Sequence, residues 1–111
     1  MGKILYGSAG TEVELDDRVM AHLQAVVSSK LRRGEGFFVN WRDDPSVGDG
    51  HSAIWVAPNV PLFFKYYGSK QIELNRQWLE IMTMGANSNG GLQLGDEPSL
   101  NGNGAPSGGS N

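Results

Sequence analysis

The chain has 111 residues, with 9 Lys or Arg against 12 Asp or Glu and a formal net charge of −3. That length suits one domain, and so even a balance excludes the broad positive field with which proteins gather nucleic acid. The absence of cysteine excludes disulfides, thiolate nucleophiles and cysteine-ligated zinc.

Lys3 to Tyr6 reads as a short strand, Gly7-Ser8-Ala9-Gly10 as a turn, and Glu12-Val13-Glu14-Leu15 as a second, half-buried strand. Together they predict an N-terminal hairpin. Asp16 is a good helix N-cap, and Leu15 and Met20 sit at the spacing of a hydrophobic staple. Val19, Met20, Leu23, Val26, Val27 and Leu31 form one apolar stripe of helical period, with Arg18, His22, Ser28 and Ser29 on other faces. Gly34 suits the left-handed residue that ends a helix, and Lys30, Arg32 and Arg33 complement the helix dipole just before it. The segment Leu31 to Gly36 thus joins a helix stop to an aromatic strand, and with Lys30 it is the one compact cationic patch.

Phe37 to Trp41 is bulky, aromatic and β-branched, as strands prefer. Arg42 to Gly50 is a loop. Ser52 to Val56 is the next strand, with either Ile54 and Val56 or Ala53 and Trp55 facing inward. Pro58-Asn59-Val60-Pro61 breaks it, and Leu62 to Tyr67 forms a further strand. An antiparallel meander of these three is expected. Asn75 caps a second helix, whose buried face is Trp78, Leu79, Met82 and Ala86, and Asn87 to Gly91 ends it before a short edge strand at Leu92-Gln93-Leu94. The order ββαβββαβ predicts an α+β fold, a small antiparallel sheet with two helices packed on one face. Gly95 to Asn111 contains no Lys, no Arg and no aromatic residue. Residues 1–94 are therefore expected to form the single domain, and 95–111 a flexible Gly/Asn/Ser/Pro tail.

Several of these segments resemble one family. They are Lys3-Ile4-Leu5-Tyr6-Gly7, Asp16-Asp17-Arg18 with Ala21-His22-Leu23, and Lys30-Leu31-Arg32-Arg33-Gly34-Glu35. Trp41, Trp55, Pro61-Leu62, Leu74-Asn75-Arg76, Trp78-Leu79-Glu80 and Gly91-Leu92 complete the set. The chain is similar over roughly residues 1–97 to a family of small actinobacterial proteins classed as a domain of unknown function, whose members often carry the label ATP-dependent DNA ligase. The resemblance implies no catalytic residues. Adenylyl transfer by such ligases needs a lysine nucleophile in a Lys-x-Asp-Gly setting. The nearest segment is Val47-Gly48-Asp49-Gly50, and valine cannot form a phosphoramidate. The chain is also short for an adenylation domain, so an enzyme is not expected.

Candidate sites are few. Lys30, Arg32 and Arg33, with Arg18, are the residues that could contact phosphates. Phe37, Trp41, Trp55, Phe63 and Tyr67 could stack on bases, but two helices need a sheet face to pack on, so the Trp and Phe residues are expected in the core and Tyr66 and Tyr67 outside. Asp43, Asp44, Asp49 and His51 share one loop without the alternate spacing of a Ca²⁺ loop, and no metal or other cofactor is expected there. His51 and Ser52 are adjacent on a strand and point to opposite faces, which argues against a Ser–His pair.

The opening residues Met1 to Tyr6 are too short an apolar run for a signal peptide, and no stretch approaches the roughly 18 apolar residues of a membrane helix. The expectation is a cytoplasmic, non-catalytic binding module without membrane contact. Association with an unknown protein partner or with itself comes first, and a DNA-associated, ligase-related accessory role second.

Overall fold

A computed structural model describes residues 1–48 and 50–99. Asp49 and residues 100–111, most of the expected tail, lie outside the described residues. The hairpin forms where alternation and the glycine-bounded turn place it. Strand β1 (Gly2–Tyr6) pairs antiparallel with β2 (Thr11–Leu15). Helix α1 (Asp17–Arg32) follows at once, and the Asp16 carboxylate accepts from the Arg18 N–H at 3.2 Å. Such a cap contributes about 1 kcal/mol. Gly34, at φ 72°, ends the helix and donates its N–H to the Leu31 carbonyl at 3.0 Å.

The remaining elements are β3 (Phe37–Arg42), a 3-10 turn (Pro45–Val47), β4 (His51–Val56), β5 (Leu62–Lys65), α2 (Arg76–Ala86) and β6 (Leu92–Gln93). The α+β class and the order ββαβββαβ are those expected. The strands, however, divide between two three-stranded sheets, ordered β2-β1-β5 and β4-β3-β6. The expected meander stops after β3 and β4. Pro58 and Pro61 lack the N–H groups that a tight β4–β5 connection would use, so the chain turns away. β5 instead pairs antiparallel with β1, Leu5 opposite Phe63, while the Gly7 N–H donates to the Pro61 carbonyl at 2.9 Å. β6 lies parallel to β3, and Leu94 donates its N–H to the Asn40 carbonyl at 2.8 Å. The two sheets also meet where the Tyr6 hydroxyl donates to the Trp55 carbonyl at 2.7 Å.

One core serves both sheets. Ile4 and Val13 of the first sheet and Phe37, Val39 and Val56 of the second join Met20, Leu23, Val26 and Val27 of α1. Trp78, Met82 and Ala86 bring in α2, which also packs on β6 and β3. In β4 the alternation resolves with Ile54 and Val56 inward and Trp55 outward. Among the described residues no helix is long and apolar enough to cross a membrane.

Gly91 sets the approach of β6 to β3. Its φ is 88°, and a Cβ there would stand 2.6 Å from the Phe38 carbonyl oxygen. Gly90→Ala meets open space. We expect Gly91→Ala to lose about 2–4 kcal/mol in urea denaturation, from the left-handed backbone and the collision together, and Gly90→Ala to lose little. Equal losses would refute this account.

Candidate functional site

The four cations singled out in the sequence do not come together. Arg18 and Arg32 lie at opposite ends of α1, about 21 Å apart at the helical rise. Lys30 is 5 % exposed and turns inward. Its ammonium lies 2.7 Å from Glu35 Oε1, donates to Asn87 Oδ1 at the end of α2, and sits 5.9 Å above the Phe37 ring. That hydrogen bond from Lys30 holds the Glu35 carboxyl below the usual carboxylate range. Lys30 therefore joins the C-terminal ends of the two helices. Arg32 and Arg33 remain exposed, Arg33 with a long 3.4 Å contact to Glu35.

Arg18 is also engaged within the fold. Its Nε and NH2 atoms reach the two oxygens of Glu97 at 2.6 and 2.7 Å, and NH1 donates to the Glu73 carbonyl at 3.1 Å. Asn75 Nδ2 donates to the same carboxylate at 3.0 Å and to the Pro98 carbonyl at 3.2 Å. Asn75 Oδ1 meanwhile caps α2, accepting from the N–H groups of Gln77 and Trp78. The backbone N–H of Asn75 donates to His22 Nε2 at 2.7 Å. An imidazole nitrogen that accepts carries no proton, so His22 Nδ1 holds it and donates to the Arg18 carbonyl at 2.8 Å. His22 is wholly buried, its ring 4.5 Å from that of Trp78.

This network corrects one expectation. His22 lies in the core, because both its nitrogens find main-chain partners. At the start of the segment expected as the tail, Glu97 and Pro98 bond to Arg18 and Asn75.

The loop carboxylates are likewise used locally. Asp43 Oδ1 accepts from the Ser52 hydroxyl at 2.8 Å, and Asp44 caps the 3-10 turn by accepting from the Ser46 N–H at 2.9 Å. His51 is exposed opposite Arg42, and Asp49 lies outside the described residues. Among the described residues no group of three or more His, Asp or Glu is placed to hold a metal.

The aromatic residues divide differently from expectation. Phe37 is buried and Trp41 half-buried, but Trp55 and Phe63 are exposed, as are Phe38 and Tyr67. Phe38 and Trp55 pair across β3 and β4 on the outer face of the second sheet, ring centroids 5.0 Å apart, edge to face. They are 45 % and 44 % exposed. Gly36 makes the seat, since a Cβ there would stand 2.5 Å from Trp55 Cζ2. The next row of that face is Ala53, Asn40 and Gln93, and neither row carries an ionised side chain.

These elements define a small two-sheet α+β module whose polar side chains mostly tie its own segments together and whose second sheet shows bare aromatics to solvent. A family model for a domain of unknown function, DUF7882, matches residues 1–97, and the chain belongs to that family. The match ends at Glu97, the residue that closes the Arg18–Asn75 network. No curated protein and no solved structure matches the chain.

The Arg18 guanidinium, then Asn75, hold the Glu97 carboxyl down to about 2 from its ordinary 4.5. A depressed carboxyl contributes stability above its unfolded value, and loses it as pH falls toward the folded one. We expect Glu97→Gln to cost about 1–2 kcal/mol near neutrality. The difference from the natural chain should shrink below about pH 4.5 and be mostly gone by about pH 2.5. A chain ending at Gly95 should behave like the variant, and one ending at Ser99 like the natural chain. Urea titrations across that range read the effect, and a difference independent of pH would refute it.

Proposed function

We propose that this protein is a non-catalytic association module whose first partner is a second copy of itself, meeting through the outer face of β3 and β4. The observation that carries this reading is the Phe38–Trp55 pair, nearly half exposed on a face whose central rows have no charge. Interface centres favour aromatic residues and exclude charged ones. Two identical faces also meet at their centres without opposing like charges, because those two rows carry none, as a two-fold contact requires. The small core supports the reading too, because a domain of this size gains stability from covering apolar surface. Phe38→Ser with Trp55→Gln should convert a concentration-dependent dimer, measured by light scattering, into a monomer. A natural chain that stays monomeric over a wide concentration range would sink the proposal.

A DNA-associated, ligase-related role rests on Arg32 and Arg33, the two members of the cationic set that remain exposed. Two arginines give a weak electrostatic footprint, since Lys30 and Arg18 are committed to Glu35 and Glu97. If this reading holds, Arg32→Glu with Arg33→Glu abolishes binding to short single- or double-stranded DNA, and affinity for the natural chain falls steeply with salt. No binding at low salt, or a flat salt response, removes it.

A further inference from the structure

A groove of about 560 Å³ opens where the β2–α1 junction meets the far end of β3, well away from Phe38 and Trp55. Its volume lies in the range of ligand sites, about 300–1,000 Å³. Leu15, Val19, Trp41 and Leu94 supply apolar wall, and all four are only partly covered by the core.

The rim has the opposite character. Glu14, Asp16, Asp43, Asp44 and Asp96 come to it from separate segments, and Arg42 is the one cationic side chain among them. The rim side chains carry an excess of four negative charges, and the Met1 α-ammonium, which also lines the groove, offsets one of them, leaving a local balance equal to the formal charge of the whole chain, −3. The protein's negative character is therefore concentrated at this opening. None of the four salt bridges among the described residues involves a rim carboxylate. Three of the five are held in place by hydrogen bonds: Asp16 by the Arg18 N–H, Asp43 by the Ser52 hydroxyl and Asp44 by the Ser46 N–H. The Ser46 main chain also keeps the Asp44 carboxyl below the usual carboxylate range. Charges fixed around a concave, low-dielectric wall focus their field outward and draw in a cation.

We propose that this groove binds a basic peptide segment, with one apolar side chain seated against Leu15, Val19, Trp41 and Leu94 and flanking Lys or Arg residues on the carboxylate rim. Charge complementarity selects that occupant. The rim repels phosphate, which disfavours nucleic acid and anionic lipid, while the apolar wall gives a bare polycation nothing to fill it. The tail of this chain is no candidate, because residues 95–111 contain no Lys or Arg. This proposal is independent of the aromatic face.

The test uses the full chain and a fluorescein-labelled peptide with a central leucine flanked on both sides by Lys and Arg, read by fluorescence anisotropy at low salt. Saturable binding is expected, weakening by about tenfold when the leucine is replaced by serine and by a similar factor in the double variant Glu14→Gln with Asp96→Asn. Those two carboxylates cap no element, so the variant keeps its fold. The Phe38→Ser, Trp55→Gln chain should bind undiminished, which separates this site from the association face. Spermine should compete only at much higher concentration. Absence of binding, indifference to the leucine or to the rim variant, loss in the aromatic variant, or equal competition by spermine would each overturn the proposal.

Discussion

The fold depends on the hydrogen-bonded node built around His22 and Asn75. The node ties three segments that are far apart in the chain: the first turns of α1, the start of α2, and the strip that follows β6. Each group in it has a defined partner. Imidazole nitrogens meet one main-chain donor and one main-chain acceptor, the asparagine oxygen caps a helix, and its nitrogen joins a carboxylate clamped by Arg18. Burial makes such a node exacting. A polar group without its partner in the core costs about 1–3 kcal/mol, so removing one member exposes the others to that penalty. Lys30 plays a related part at the opposite end, joining the helix termini through Asn87 and Glu35. The helix pair is thus pinned at both ends by charge-assisted contacts, while Leu23, Val26, Trp78 and Met82 contribute the apolar packing.

The division into two sheets has consequences for the surface. A single sheet with both helices on one face would have a use for every bulky inward residue. Here β5 leaves its neighbour to complete the first sheet, and the second sheet is closed by β6, which is only two residues long. Each sheet gives one face to the shared core and keeps the other in water. The aromatics that fall on the outer registers, Phe38, Trp55 and Phe63, are therefore left uncovered by any element among the described residues. The apolar groove beside α1 draws on both sheets, with Leu15 from the end of β2 and Trp41 from β3.

How much of this was legible depended on the range of each interaction. Caps, staples and stripes are local, so Asp16, Asn75 and the apolar face of α1 could be read directly. His22 could not, because the donor that makes its burial tolerable is the N–H of Asn75, 53 residues away. Lys30 looked like part of a surface patch because its acceptor, Asn87, is 57 residues distant. In β4 the alternation allowed either Ile54 and Val56 or Ala53 and Trp55 inward, and only the pairing with β3 decides between them. Asp43 and Asp44 stood out in sequence only beside Asp49 and His51, and their meeting with Glu14, Asp16 and Asp96 was not legible because three separate segments contribute these carboxylates. Glu97 sits between Asp96 and Pro98 in a stretch without Lys, Arg or aromatic residues, and nothing local distinguishes it from a solvated tail residue.

The contact between Tyr6 and Trp55 bears on the open edge of the second sheet. Because the Asn40 carbonyl accepts from Leu94, the main-chain groups of Phe38, Asn40 and Arg42 point toward β6. Their partners on β4, namely Trp55, Ala53 and His51, therefore point their amides away from the sheet. An open edge of this kind is a template on which further strands add end over end. The Tyr6 hydroxyl already occupies the Trp55 carbonyl, which removes one acceptor from that edge. A hydroxyl from one sheet thus caps part of the margin of the other, shortening the open edge of the strand that displays the most exposed indole among the described residues.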